Sequence, residues 1–198
     1  MTSAATSVWQ VALGDDFDRL APELQPYFSR PPEGLVGYGA GVYEVAGSRH
    51  RWLRPVLAWL GWRHVLFPEF GRGIPFDVTN TTAPDGSLSA VRTFAFPGVT
   101  RVMEDTMRVV DGHVHDSLGR RRGLEARLHP VVDDGMLRLT SSALWLHLGP
   151  LRLPLPRVAT ITLHERWMGD HQRVDVELTS PVLGTWFEYR GDFTYDFR

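Results

Sequence analysis

From Ile74 to its C-terminus the chain is a succession of strand-length segments cut by turn signals, and nothing else in it constrains the fold as strongly. The segments are IPFDVTNT, LSAVRTFAF, TRVMEDTMRVV, HVHDSL, GLEARLHPVV, GMLRLTSSALWLHL, VATITLHERW, QRVDVEL and GTWFEYRGDFTYDF. Between them stand Pro84-Asp85-Gly86, Pro97-Gly98, Asp111-Gly112, Asp134-Gly135 and Gly169-Asp170, residue types that supply the φ angles a tight turn needs. Connections this short leave no room for a crossover, so neighbouring strands must run antiparallel. A meander of about nine or ten such strands exposes raw edges unless it wraps round and pairs with itself.

The expected fold is therefore mainly β: an antiparallel barrel-like (lipocalin-like) sheet with one or two helices packed on it or closing it. An α+β helix-grip-like arrangement is the alternative. Barrels of about this strand number have an interior just wide enough for one small ligand. The 198 residues read as a single domain, 1–198, with 1–10 as a flexible N-terminus.

Before Ile74 three pieces stand out. LGDDFDRLAPELQPYF reads as a short helix capped by Asp15 or Asp16, with Phe17, Leu20 and Leu24 at helical spacing. GLVGYGAGVYEV has glycines at 37, 39 and 41, but the G-x-G-x-G spacing runs on into strand where a dinucleotide-binding loop would open a helix. It reads as a curved strand on which something packs closely. RHRWLRPVLAWLGWRHVLF is the strong helical segment, with Trp52, Val56, Trp59 and Leu60 as its apolar face and Arg49, Arg51, Arg54 and Arg63 around it. Tryptophan plus arginine admits a membrane-surface helix; covering an open sheet or barrel mouth is the more economical reading.

Composition removes several chemistries. There is no cysteine, hence no disulfide, thiolate nucleophile or cysteine zinc site. There is no lysine, so Schiff-base catalysis is out and all cationic side chains are arginine. The net charge of −2 gives no reason to expect a nucleic-acid partner. The opening MTSAATSVWQ has the form of no signal peptide, and no apolar run approaches a membrane span; a cytoplasmic location is expected.

Side-chain direction follows from the hairpins. With Asp111-Gly112 as a two-residue loop, Val110 faces His113, Arg108 faces His115 and Thr106 faces Ser117, with Glu104 on the same side. That polar face belongs outside. His113 and His115 share it with Arg108, which opposes metal binding, so no metal site is expected. The other face carries Met103, Asp105, Met107, Val109, Val114, Asp116 and Leu118, apolar but for two aspartates set diagonally about 7 Å apart. At the Gly169-Asp170 hairpin, Thr162, His164, Arg166, Arg173 and Asp175 share one side. Leu163, Glu165, Trp167, Val174 and Val176 share the other. Phe187, Tyr189 and Phe193 form the inward row of the last strand, and Arg92 shares parity with Phe94 and Phe96.

Carboxyl groups on interior faces must pair or protonate. Either they hold strands in register through a network with Arg92 and Tyr189, or they have raised pKa values and move protons on a bound apolar molecule. In the second case Asp105, Asp116 and Glu165 are the acid–base candidates and Tyr189 and Arg92 orient or stabilise charge. Met103, Met107, Leu118, Trp167, Phe187 and Phe94 would line the pocket.

Several motifs also resemble the bacterial family catalogued as domain of unknown function 4166. They are Leu153-Pro154-Leu155-Pro156, Glu165, Val174-Asp175-Val176, Pro181, Gly184, Tyr189 and Gly191, with Arg92-x-Phe94 and the LGDDFDRLAPELQPYF opening. The family's E-R-F-G is similar to Asp116-Ser117-Leu118-Gly119, which keeps the carboxylate and lacks the aromatic. The resemblance spans most of the chain and implies no reaction, but it points at Asp116, Glu165, Tyr189 and Arg92. The expected function is binding of a lipid or a polyketide- or terpenoid-like intermediate in the barrel, with cofactor-independent isomerisation, dehydration or cyclisation. A non-catalytic carrier and a membrane-surface protein are the alternatives.

Overall fold

The computed structural model describes residues 6–156 and 159–198. Its strands are β1 (Gly37–Gly47), β2 (Phe70–Gly71), β3 (Ile74–Thr82), β4 (Leu88–Phe96), β5 (Val99–Val110), β6 (His113–Leu118), β7 (Leu124–Asp133), β8 (Met136–Leu148), β9 (Leu151–Pro154), β10 (Thr160–Met168), β11 (His171–Ser180) and β12 (Gly184–Phe197). All ladders are antiparallel. The order β10-β11-β12-β1-β3-β4-β5-β6-β7-β8 closes on itself where β10 pairs with β8, from Thr162↔Thr140 to Glu165↔Leu137. The result is a closed ten-stranded barrel. Strand β2 adds to β1 and β9 adds to β8. The prolines of GPLRLPLPR (149–157) suggest a crossing between strands, but the segment begins as a strand folded back on β8, Trp145↔Pro154. Arg157 and Val158, at the end of that crossing and the start of VATITLHERW, lie outside the described residues.

Register follows the turns. Asp111 (φ 50°) and Gly112 (φ 75°) both adopt the left-handed geometry of a two-residue hairpin. Val110↔His113, Arg108↔His115 and Met107↔Asp116 therefore pair as expected. The glycine run in β1 also does what its pattern suggests. A Cβ on Gly39 would press on Val78 and the Phe193 ring, and one on Gly41 would lie 2.0 Å from the Asp192 carbonyl oxygen. Both positions let β12 and its aromatic rings lie close to β1.

The helix-grip alternative does not form, since the α-helices are short: α1 (Val8–Leu13), α2 (Gln25–Phe28) and α3 (Arg54–Trp62). The expected helix over LGDDFDRLAPELQPYF is broken. Gly14 ends α1 at a positive φ, a 3-10 turn spans Gly14–Arg19, and α2 restarts with Pro26 in its first turn. The cap is Ser7, which accepts from the Gln10 amide at 3.1 Å while Gln10 Oε1 accepts from the Ser7 amide at 2.8 Å. Helix α1 thus starts inside the 1–10 segment expected to be flexible, with Val8 and Trp9 buried; residues 1–5 lie outside the described residues. Phe17, Leu20 and Leu24 are buried as their spacing suggests.

Because the strands alternate direction, the connections sort to two ends. α1, α2 and the turns at 83–87, 111–112, 134–135 and 169–170 share one, fixed by the Ala21 amide donating to the Gly135 carbonyl at 2.9 Å. α3 and the connections 97–98, 119–123, 149–150 and 181–183 share the other, tied by the Arg120 amide donating to the Arg63 carbonyl at 3.1 Å. Both ends are plugged by core. Leu57, Val65, Leu66 and Phe67 pack with Phe94, Phe96 and Phe187, while Trp9, Leu20, Leu24 and Phe28 pack with Val114, Leu128 and Leu137.

Of the four residues expected to form the inward face of the α3 segment, Trp52, Val56, Trp59 and Leu60, only Leu60 turns inward. Leu57 is buried and Leu53 and Leu60 pack on the core, whereas Trp52, Val56 and Trp59 are 62%, 57% and 51% exposed. Two apolar stripes adjoin on this helix. The leucine stripe, at i, i+4 and i+7, fits between β-barrel side chains, and the bulkier indoles are left outside.

Candidate functional site

Parity sets the inner wall, and the ladders confirm it for the acidic groups. Asp105 on β5 lies opposite Ala90 of β4, two pairs from Arg92↔Met103 and on the same face, and Arg92 Nη1 donates to Asp105 Oδ1 in an ion pair. Asp116 on β6 lies opposite Met107, diagonal to Asp105. Across the barrel, Glu165 on β10 faces Val174 of β11 and accepts from Gln172 Nε2. Asp105, Asp116 and Glu165 are 7%, 6% and 4% exposed, so none of the three looks out at water. Phe187, Tyr189 and Phe193 are buried in one row.

This environment sets the charges. Burial pushes the Glu165 carboxyl up, against the Arg92 charge and the Gln172 hydrogen bond, to about 7. Burial and then the neighbouring Asp105 charge push Asp116 well above the ordinary aspartate range, with Arg92 pulling the other way. Burial disfavours the Arg92 cation, but Asp105 and the surrounding phenols outweigh that and raise it beyond its ordinary value. The Tyr189 hydroxyl is pushed up by burial to about 12. One guanidinium therefore serves two carboxyl groups on its own wall and a third across the barrel. Among the described residues the buried Asp116 Oδ1 has no hydrogen-bond partner. The arrangement offers a fixed cation, an aspartyl group pushed well above its ordinary range and a carboxyl group poised near pH 7.

Beside Arg92, Glu165 and Tyr189 lies an enclosed space of about 10 Å³, also lined by Tyr27, Tyr43 and Phe193, room for about one water molecule. Aromatic rings fill the rest: Tyr43 stacks on Phe76 at 3.8 Å between centroids, and Tyr27 meets Phe193 edge-on at 5.6 Å. Of the expected lining residues, Met103, Met107, Phe94 and Phe187 are buried wall, and Leu118 is partly buried. Trp167 sits at the barrel's rim, its indole donating to the Gly169 carbonyl at 2.8 Å. Gln172, Tyr43 and Tyr27 belong to the site and were not expected. Gln172 shares parity with Val174 and Val176, and Tyr43 with Gly39 and Gly41, so alternation could have found both. Nothing local marks Tyr27, which α2 inserts.

The larger concavity is outside. An open groove of about 600 Å³ runs over β5–β9, lined by Arg108, His115, Glu125, Trp145, His147 and Arg152 among others. Glu125 accepts from His115 at 2.6 Å, His147 at 2.5 Å and Arg152 at 2.7 Å. Burial pushes its carboxyl up, but these three donors outweigh that and hold it at about 2. Arg152 also lies 3.8 Å above the Trp145 ring. A carboxylate so fully engaged is a keystone of the outer wall and no general base. His115, expected to be solvated, is instead mostly covered and bonded to it.

The profile of the family described as "Domain of unknown function (DUF4166)" matches residues 20–193. The chain belongs to that family. A relative of this DUF4166 chain is the "Uncharacterized protein YndH" of Bacillus subtilis (strain 168), 30% identical over 196 residues, which cover 92% of this chain and 94% of the relative. No solved structure matches. The DUF4166 match takes in every strand of the barrel wall at least in part, and with it Arg92, Asp105, Asp116, Glu165 and Tyr189.

Proposed function

We propose that this barrel binds a small apolar molecule, of lipid, polyketide or terpenoid type, against the Arg92 centre and moves protons on it. The observation that carries the reading is the surplus of buried carboxyl groups. Arg92 and Asp105 alone would make a complete ion pair. Asp116 and Glu165 add desolvation without an equal return, Asp116 with an oxygen left unbonded. In the working site Glu165, near neutrality, takes up or gives a proton. Asp116 donates as a neutral acid, Asp105 fixes the guanidinium, and Arg92 with Tyr189 stabilises negative charge developing on a carbonyl or enolate oxygen. Isomerisation, dehydration and cyclisation all fit, and none asks for a cofactor. A space of about 10 Å³ admits such a molecule only when one of the end covers moves, Tyr27 at one end or Phe67 at the other.

A second reading, a binding protein without chemistry, is favoured by how far the polar groups already engage one another, Arg92 with Asp105 and Gln172 with Glu165. Native mass spectrometry of the purified protein, before and after exposure to a total lipid extract, separates the two. The parent should retain an apolar molecule, and Asp116→Asn and Glu165→Gln should retain its unconverted precursor, told apart after release by chromatographic retention and fragmentation, since isomerisation and cyclisation leave the mass unchanged. The same molecule at the same yield in all three proteins would leave a carrier, and no retained molecule under any condition would remove the barrel site altogether.

A further inference from the structure

We infer that the α3 end of the barrel docks on an anionic lipid bilayer. Three observations at this end coincide. The first is apolar: Trp52, Trp59 and Trp62 are 62%, 51% and 53% exposed on and beside α3, and Val56 joins them. The neighbouring connections add Leu148 and Leu151 around the 149–150 turn and Val182, 89% exposed, in the 181–183 turn. These come from three separate connections that the topology brings to one rim.

The second is charge. The connections at this end hold four arginines in 48–69, one in 72–73 and three in 119–123, against a single acid, Glu69, which is bonded to Arg101. At the opposite end the segment 6–36 holds five acids and two arginines, and the turns 83–87, 111–112, 134–135 and 169–170 hold one acid each. A net charge of −2 thus conceals a molecule that is basic at one end and acidic at the other.

The third is how the two interleave. Arg63 lies over the Trp59 ring at 5.5 Å, and Arg120 and Arg121 lie over Trp62 at 4.9 and 5.3 Å. Among the described residues Arg51, Arg54, Arg63, Arg120, Arg121 and Arg122 form no ion pair with a carboxylate. Indole belongs at the headgroup level, apolar on its ring and polar at its N–H. Unpaired guanidinium groups beside it complement lipid phosphates. Aliphatic side chains on the same rim, Val56, Leu148, Leu151 and Val182, favour hydrocarbon over the base-stacking and phosphate contacts of a nucleic acid. Among the described residues no helix is long and apolar enough to cross a membrane; the contact we infer is peripheral, one end down and the acidic end held away from the surface.

Co-sedimentation of the whole protein with vesicles tests this. Vesicles of phosphatidylcholine with about one-third phosphatidylglycerol should pull it down at low salt, and pure phosphatidylcholine vesicles far less. Replacing Arg120, Arg121 and Arg122 together with serine should weaken anionic binding on the order of a hundredfold and flatten its salt dependence. Replacing Trp52, Trp59 and Trp62 with serine should weaken it at least about tenfold while leaving the circular dichroism spectrum and the melting midpoint in place, because all three side chains are exposed. Val11→Ser, at the acidic end, should change nothing. The inference is overturned if the parent ignores anionic vesicles, or if the tryptophan variant binds them as the parent does. It is equally overturned if the parent shifts an oligonucleotide but no vesicle, or if the tryptophan variant merely dissolves a dimer of this chain.

Discussion

Replacing Glu165 with glutamine removes one charge and almost no volume, and the amide can still bond Gln172. In the folded protein the Glu165 carboxyl stands at about 7 against an ordinary 4.5. At about 1.4 kcal/mol for each tenfold change in proton affinity, ionising it inside the barrel costs about 3 kcal/mol more than in the unfolded chain. The sign follows from which state holds the proton more tightly. Below pH 4.5 both states are protonated and the residue contributes no pH dependence. Between 4.5 and 7 the unfolded chain releases its proton first, so the parent loses stability as pH rises; above 7 both are ionised and the loss levels off. Urea unfolding followed by tryptophan fluorescence, from about pH 4 to about pH 8.5, gives the difference between parent and variant. That difference should move by about 3 kcal/mol in favour of the glutamine protein across this window and be flat on either side. Asp116 and the surface acids are common to both proteins and cancel. A difference constant to within about 0.5 kcal/mol would mean that Glu165 meets water or a full counter-charge, and the poised acid–base group would vanish with it.

Three further outcomes follow from neighbouring geometry. Arg92→Met should destabilise by about 3 kcal/mol, because it leaves Asp105 buried without its partner, and Asp105→Leu in the same chain should restore much of that; additive losses in a double-mutant cycle would show that the two do not pair. Glu125→Gln should cost about 2 kcal/mol at pH 7. A carboxyl held at about 2 stabilises above pH 4.5 and loses its contribution as pH falls toward 2, so the two acid-unfolding curves should converge; a gap that persists into strong acid would contradict the outer keystone. Gly41→Ala should cost at least about 2 kcal/mol, since its Cβ would lie 2.0 Å from the Asp192 carbonyl oxygen and 2.7 Å from the Phe193 Cα, and backbone cannot step aside as a side chain can; an unchanged melting midpoint would show that β1 and β12 do not approach so closely.

The parts of this protein that were legible in its sequence are those governed by direction, and the parts that were not are governed by volume and by long-range assembly. Asp-Gly at 111–112 fixes a two-residue loop, and a two-residue loop fixes which side chains share a face. Asp105, Asp116 and Glu165 could therefore be placed on the inner wall from alternation alone. Helix α3 marks the limit of such reasoning. Its periodicity supports two adjacent stripes, Trp52-Val56-Trp59 and Leu53-Leu57-Leu60, and the choice depends on which fits between Phe94, Phe96 and Phe187, which a periodicity does not contain. The N-terminal segment fails differently: Leu20, at ψ 145°, ends the 3-10 turn that holds Phe17, and Leu24 stands just before α2, so the three share burial without sharing a helix. The polarity of the molecule is invisible along the chain because a meander visits its two ends in turn. The arginines of 119–123 are separated from those of 48–69 by Asp85 and Asp111, which lie at the far end of the barrel. Once the ring is closed, every second connection sums with its own end and the charges separate. The same closure decides the interior: parity aims Tyr43, Phe76, Tyr189 and Phe193 at one another, and only their packed volume shows that beside Arg92 they leave about 10 Å³. A ligand larger than water must then displace protein, so its affinity is reduced by the cost of moving Tyr27 or Phe67. The chemistry proposed at Arg92 would then wait on such a movement, and Tyr27, which a helix and not a strand holds against the space, is the first side chain to test.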